Sequence, residues 1–209
     1  NVIVHQNAKP VFVDVDKATY NIDPDKIEKA ITKKTRAIFL VHLLGNPCNM
    51  TKIQKIAKKH DLQIIEDACE AHGAEFNGKK VGTFGVLSTF SFFASHHITT
   101  MEGGMVVTNS EELYELGKSI RTFGWSRNLK NEEYFKKTNP NVDSRFLFVN
   151  TGYNLRPTEI QGAFGIHQIR KLDKLVKIKI KNAKYWNSKL KKYTDLFILP
   201  ISNKKYKNS

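Results

Sequence analysis

The chain has 209 residues, of which 40% are hydrophobic and 26% charged, the composition of a globular domain with a sizeable core. No apolar run nears the ~20 residues that cross a bilayer, so no membrane partner is expected. The net charge of +14 comes mainly from dispersed lysines that are not interleaved with aromatic residues, a pattern of solvated helix faces and not of a nucleic-acid-binding surface.

Taken in order, Pro10 to Val15 (PVFVDV) is a short apolar run between turn formers and predicts a buried strand. Asp23-Pro24 opens a helix, with Asp23 as cap and Ile27, Ala30 and Ile31 facing inward. Ala37 to Leu43 (AIFLVHL) is apolar throughout and predicts a strand covered on both faces. Gly45-Asn46-Pro47 is a loop. A second helix over 50–60 turns Ile53, Ile56 and Ala57 inward, and Leu62 to Asp67 (LQIIED) is the next strand. Turns at Gly73-Ala74 and Asn77-Gly78 and a loop over 82–85 lead to strands over 87–93 and 105–108. Ser110 caps a helix running to about Thr122, with Glu111 and Glu112 well placed in its first turn. Residues 124–149 show no period. Arg156-Pro157 begins one long helical pattern that reaches about Tyr193, and Asp195 to Ile201 starts another unit.

Strand–helix–strand–helix–strand with short links predicts an α/β fold with a mainly parallel sheet covered by helices. Ligands of such sheets bind at the carboxyl ends of the strands. Three polar clusters fall there: His42 with Asn46, Asp67 with Glu70, and Ser91 with His96.

The residue types leave the chemistry open. Asp67 caps a loop, or holds a metal, a ribose or a protonated ring nitrogen. His96 and His97 are structural, or one of them moves protons. No H-E-x-x-H or C-x-x-C spacing supports a metal site, so none is expected. Cys48 and Cys69 form no disulfide framework, which is the pattern of a reducing, cytoplasmic location.

Five runs carry a resemblance: PVFVDVDKATYNIDPDKIEKAIT, VHLLGNPCNM, IIEDACEAHGAEFNGKKVGTFG, STFSFFASHHITTMEGGMVVT and TGYNLRPTEIQGAFG. In this order the chain resembles the DegT/DnrJ/EryC1/StrS sugar aminotransferases, fold-type I enzymes of pyridoxal phosphate (PLP). The resemblance implies that 1–155 is the central part of the cofactor-binding large domain. It implies too that 156–194 is a long helix leading out and 195–209 the start of a C-terminal small domain, so that the chain is a piece of a longer protein truncated at both ends. It assigns Asp67 to the cofactor's pyridine nitrogen, Glu70 to a polar position facing the ring and Ser91 to the phosphate. Asn154 takes the place of an asparagine that reaches the phosphate from the other subunit of a homodimer.

One departure defines the chain. Counting from Ser91, the family's Schiff-base lysine position is His96, and no lysine lies between Lys80 and Lys118. An imidazole cannot form that bond. The substitution resembles a subset of the family, the sugar 3-dehydratases that use noncovalently held pyridoxamine phosphate (PMP). By that resemblance His96 is the catalytic base in C3 deoxygenation of a nucleotide-linked 4-keto-6-deoxyhexose, on the way to 3,6-dideoxysugars of lipopolysaccharide. Cys69 falls at one ligand position of the iron–sulfur members, but GWSRNL stands where their C-x-C pair is expected, so no cluster is expected. The cluster-free type regains its amine from L-glutamate, whose carboxylate Arg156 suits. Alternatives are an aminotransferase whose lysine is lost or moved, and a noncatalytic sugar-nucleotide-binding relative.

Overall fold

The computed structural model describes residues 1–200 and 206–209. A short helix α1 (Val2–His5) precedes α2 (Pro24–Ala30), where Asp23 accepts from the Asp25 N–H and Pro24 takes the first turn. Strand β1 (Ala37–Val41), helix α3 (Met50–Lys59) and strand β2 (Gln63–Asp67) follow. Strands β3 (Glu75–Phe76) and β4 (Lys79–Lys80) form a hairpin whose turn, Asn77-Gly78, has both residues at positive φ, 52° and 76°. Then come β5 (Leu87–Ser91), β6 (Gly104–Val107), α4 (Glu111–Ile120), α5 (Glu132–Thr138), α6 (Glu159–Ile169), α7 (Leu172–Leu190) and β7 (Tyr206–Lys207).

The main sheet has the order β1-β2-β5-β6, with β1, β2 and β5 parallel and β6 antiparallel to β5. Its register aligns Val41, Asp67, Thr89 and Val106 across four strands. Because side chains alternate along a strand, Ile38, Leu40 and Ile64 face the other way. These three are buried in one cluster with Ile27, Met50, Ile53 and Ala57 from α2 and α3. The family-like α/β architecture with a mainly parallel sheet is therefore present.

Several expectations need correction. Pro10 to Val15 is not a strand: Phe12 is 93% exposed and, among the described residues, the only pairing is the single bridge from Val15 to Ile22. A strand exists only where a neighbour accepts its backbone, and β1 pairs with β2 alone in this sheet. Strand β1 is not covered on both faces either. Phe39 and Val41 are 40% and 39% exposed, because α2 and α3 lie on one side only. The long helical pattern from Arg156 breaks at Arg170 and Lys171 into α6 and α7, without a glycine or proline to announce it. The aperiodic stretch 124–149 contains α5, a 3₁₀ turn over Ser144–Phe146 and Trp125 stacked on Phe148 at 5.9 Å. The expected unit from Asp195 onward includes residues 201–205, which lie outside the described residues. Beyond them β7 pairs antiparallel with β3, and the Ser209 N–H donates to the Gly45 carbonyl at 3.1 Å.

A buried polar cluster ties the sheet together on its closed face. Glu66 and His42, both without exposed surface, meet at 3.0 Å, and Glu66 also accepts from backbone N–H groups of the 82–85 loop. Gly85 is required there, since a side chain would strike the Ile64 carbonyl. His42 is thus not part of a strand-end cluster with Asn46, as the sequence had suggested. It points into the core, while Asn46 exchanges hydrogen bonds with Asn21 and Thr19.

Candidate active site

Asp67 closes β2 on the open face and is half-buried. Its Oδ1 accepts from the Cys69 N–H at 3.0 Å, which locks the carboxylate over the turn that follows. Among the described residues no hydrogen bond reaches Oδ2. The neighbouring Cys69 thiol is pushed up to about 11, first by burial and then by the Asp67 carboxylate. Glu70 sits on the next turn, where its Oε2 accepts from the Leu44 N–H at 3.1 Å.

Ser91 ends β5, paired with Gly104 of β6. Its Oγ accepts from the Phe93 N–H at 3.2 Å, so the hydroxyl hydrogen is free to donate elsewhere. The 92–103 segment connects β5 to β6 and holds His96. Main-chain bonds from Phe92 to Gly103 and from Thr100 to Phe92 close it, and Thr99 Oγ1 donates to the Phe92 carbonyl at 3.0 Å. Gly103 leaves room that a side chain would deny to Thr100 Oγ1. Helix α6 buttresses the turn, as Gln161 Nε2 donates to the Glu102 carbonyl at 2.7 Å. His96 lies edge-on to Phe93 at 6.0 Å, and its Nδ1 is buried without a partner among the described residues.

Two residues carrying chemistry, His72 and Glu66, escaped the sequence reading, and His97 was given no role of its own. His72 and His97 are buried, 5.6 Å apart between ring centroids, and neither has a hydrogen-bond partner at a ring nitrogen among the described residues. Burial pushes His72 down to about 4 and also lowers His97, with Lys179 adding to the latter. The second missed residue is Glu66, which a period of two already places opposite Asp67. Two expected site residues lie apart from these. Asn154 bridges Thr122, and the Arg156 guanidinium stands 5.0 Å over the Phe123 ring; both are exposed.

The groups around Asp67 fit a ligand with a cationic ring atom at one end and an anion at the other. Among the described residues a carboxylate oxygen and a hydroxyl hydrogen are unengaged at adjacent strand ends, and an unpartnered imidazole nitrogen stands on the loop that leaves Ser91.

The model of the DegT/DnrJ/EryC1/StrS aminotransferase family matches residues 1–209, and the chain belongs to that family. A GDP-4-keto-6-deoxy-D-mannose 3-dehydratase of Escherichia coli is 48% identical over 182 residues, 86% of this chain and 47% of that protein. One of Yersinia pseudotuberculosis is 50% identical over 174 residues, 82% of this chain and 44% of that protein. The solved structure of an Escherichia coli GDP-4-keto-6-deoxy-D-mannose-3-dehydratase with bound hydrated PLP superposes with a TM-score of 0.83 at 44% identity, covering 90% of this chain and 49% of that one. The chain spans about half the length of the curated relatives it matches. Among the described residues no helix is long and apolar enough to cross a membrane.

Proposed function

We propose that this chain is the cofactor-binding core of a PMP-dependent sugar-nucleotide 3-dehydratase, with His96 as its base. The observation that carries the reading is His96 itself. An imidazole with an unpartnered Nδ1 stands on the loop leaving Ser91, in a chain that aligns with two 3-dehydratases at 48% and 50% identity. In this reading 1–155 is the large-domain core, 156–194 leads out of it as the two helices α6 and α7 and not the one long helix expected, and 195–209 opens a small domain whose last residues pair back onto β3 and Gly45.

When bound, PMP supplies a primary amine for the 4-keto carbon of the sugar and a protonated ring that takes up electrons. Asp67 holds the proton on the ring nitrogen through the oxygen that Cys69 leaves free. Ser91 donates its hydroxyl hydrogen to the phosphate. Glu70, tethered by Leu44, borders the ring. Asn154, exposed and remote from Ser91 in contact, reaches the phosphate of a partner protomer in a homodimer. Arg156 receives the carboxylate of L-glutamate. His96 takes the proton released at the carbon beside the amine and delivers one to the departing C3 hydroxyl, work for which imidazole is suited near neutral pH. With no lysine at this position the cofactor is held without a covalent bond, so its retention depends on Asp67, Ser91 and Asn154.

The test supplies the full-length protein with PMP, GDP-4-keto-6-deoxymannose and L-glutamate and follows loss of water from the sugar by mass spectrometry. His96→Asn should abolish turnover, and unchanged turnover would overturn the assignment. His96→Lys should trap PLP in a borohydride-reducible covalent bond, placing residue 96 beside the cofactor.

A further inference from the structure

Glu66 precedes Asp67 on β2 and points to the opposite face, so the proposed reaction does not touch it. Its surroundings are nevertheless built around it. The carboxylate is fully buried and accepts four hydrogen bonds, from His42 Nε2 at 3.0 Å and from the N–H groups of Gly82, Phe84 and Gly85 at 2.7 Å each. The Cys48 N–H donates to His42 Nδ1 at 3.0 Å, so that nitrogen carries no hydrogen, the ring is neutral, and Nε2 is the donor to Glu66.

His42 also grips β2 a second time, because its backbone N–H donates to the Asp67 carbonyl at 3.0 Å. On the other side, the loop gathered by Glu66 leads into β5, and Ser88 Oγ ties that strand back to the Gly82 carbonyl at 2.7 Å. One buried carboxylate therefore connects the end of β1, the end of β2 and the entry to β5, the strand that finishes at Ser91.

We infer that the His42–Glu66 pair is a positioning unit for the cofactor, holding Asp67 and Ser91 at the spacing that the ring nitrogen and phosphate require. The inference rests on the reading of Asp67 as the contact of that nitrogen. Breaking the pair leaves a buried carboxylate short of a donor, which the strand ends relieve only by moving. A shift of about 1 Å is enough to spoil a directional, charge-assisted contact.

The experiment titrates the full-length chain with PLP, recording the dissociation constant and the absorbance band of the bound cofactor, with thermal unfolding in parallel. His42→Leu, which cannot donate to Glu66, should weaken binding about tenfold or more and displace the band. His42→Gln keeps an acceptor for the Cys48 N–H and a donor for Glu66, and should bind within about threefold of the parent. A merely structural pair would lower the unfolding temperature of His42→Leu while leaving affinity and band unchanged below it; that result overturns the inference, as does equal loss in both variants. If His42→Leu does not fold, Glu66→Asp, which withdraws the carboxylate from the three N–H groups, reads the same two outcomes. Asp67→Ala separates the readings: unchanged affinity there refutes the Asp67 assignment, whereas weakened binding there with parental binding in His42→Leu refutes the positioning unit alone.

Discussion

The two faces of the central sheet treat neighbouring acidic residues in opposite ways. On the closed face, Glu66 is saturated by four donors and surrounded by Ile38, Leu40 and Ile64. Burial by itself would raise its pKa, but the bond from His42 and the N–H groups of Gly85 and Gly82 outweigh it and hold the carboxyl below the usual range. On the open face, Asp67 keeps one oxygen unengaged among the described residues, and it shares that face with exposed Phe39, Val41 and Val106. A residue that builds the fold has its bonds filled from within; a residue meant for a ligand keeps one in reserve. Position in the pleat, one residue apart, decides which is which.

The largest effect that tests this contrast is a pair of truncations. Leu40, 1% exposed, and Phe39, 40% exposed, are adjacent on β1. Leu40→Ala should lose about 3–4 kcal/mol of stability in urea unfolding, through lost transfer energy plus a cavity that α3 cannot close. Phe39→Ala should lose about 1 kcal/mol, since much of its ring already meets solvent. Equal losses would show that the second face is covered in solution and would dissolve the comparison.

Next in size is a pH effect. His72 is buried beside Phe90 and Phe92 at 5.3 and 5.6 Å and titrates at about 4, against 6.5 for a free imidazole. Between those values the unfolded chain binds a proton that the folded chain refuses, so stability falls as pH drops through this window and is fully present above it. The loss is on the order of 3 kcal/mol by linkage. Glu66, with its pKa lowered from 4.5, adds a second loss that begins only below that value. His72→Phe should therefore reduce the fall in stability between pH 6.5 and 4.5, leaving the part that buried His97 contributes in the same direction and the steeper fall beneath it. A curve unchanged by His72→Phe would show that this imidazole is not buried neutral.

Much of this was legible in the sequence because it is periodic or local. The helices starting at Pro24 and Met50, the strands β1, β2 and β5, and the placement of Asp67 and Ser91 at strand ends follow from apolar period and capping, whereas His96 lies five residues past the end of β5. What failed was nonlocal. Whether PVFVDV pairs, or Phe39 is covered, depends on which element packs alongside, and no residue within those runs encodes it. The partners of Glu66 come from positions 42, 82, 84 and 85, and the burial of His72 depends on Phe90, Phe92 and His97. Alternation alone does separate Glu66 from Asp67, and would have moved His42 out of the strand-end cluster had it been carried through β1.

The smallest expected effect uses the two thiols as reporters of the two faces. Cys48 is buried, its Sγ donating to the Val41 carbonyl at 3.1 Å, and burial followed by the charge of Glu66 drives its pKa far up. Cys69 is half-buried at the open face and sits at about 11. Because only the thiolate reacts, Cys69 should alkylate slowly in the native protein and Cys48 only on unfolding. Asp67→Asn removes the carboxylate that, after burial, does most to hold the Cys69 thiol protonated, so Cys69 should then react a few-fold faster while Cys48 stays silent. Added PLP should slow Cys69 in the parent chain and not in the variant, if the cofactor depends on that carboxylate. Faster labelling of Cys48 in Asp67→Asn would mean that the closed face had opened with it, and that the two sides of β2 are not independent.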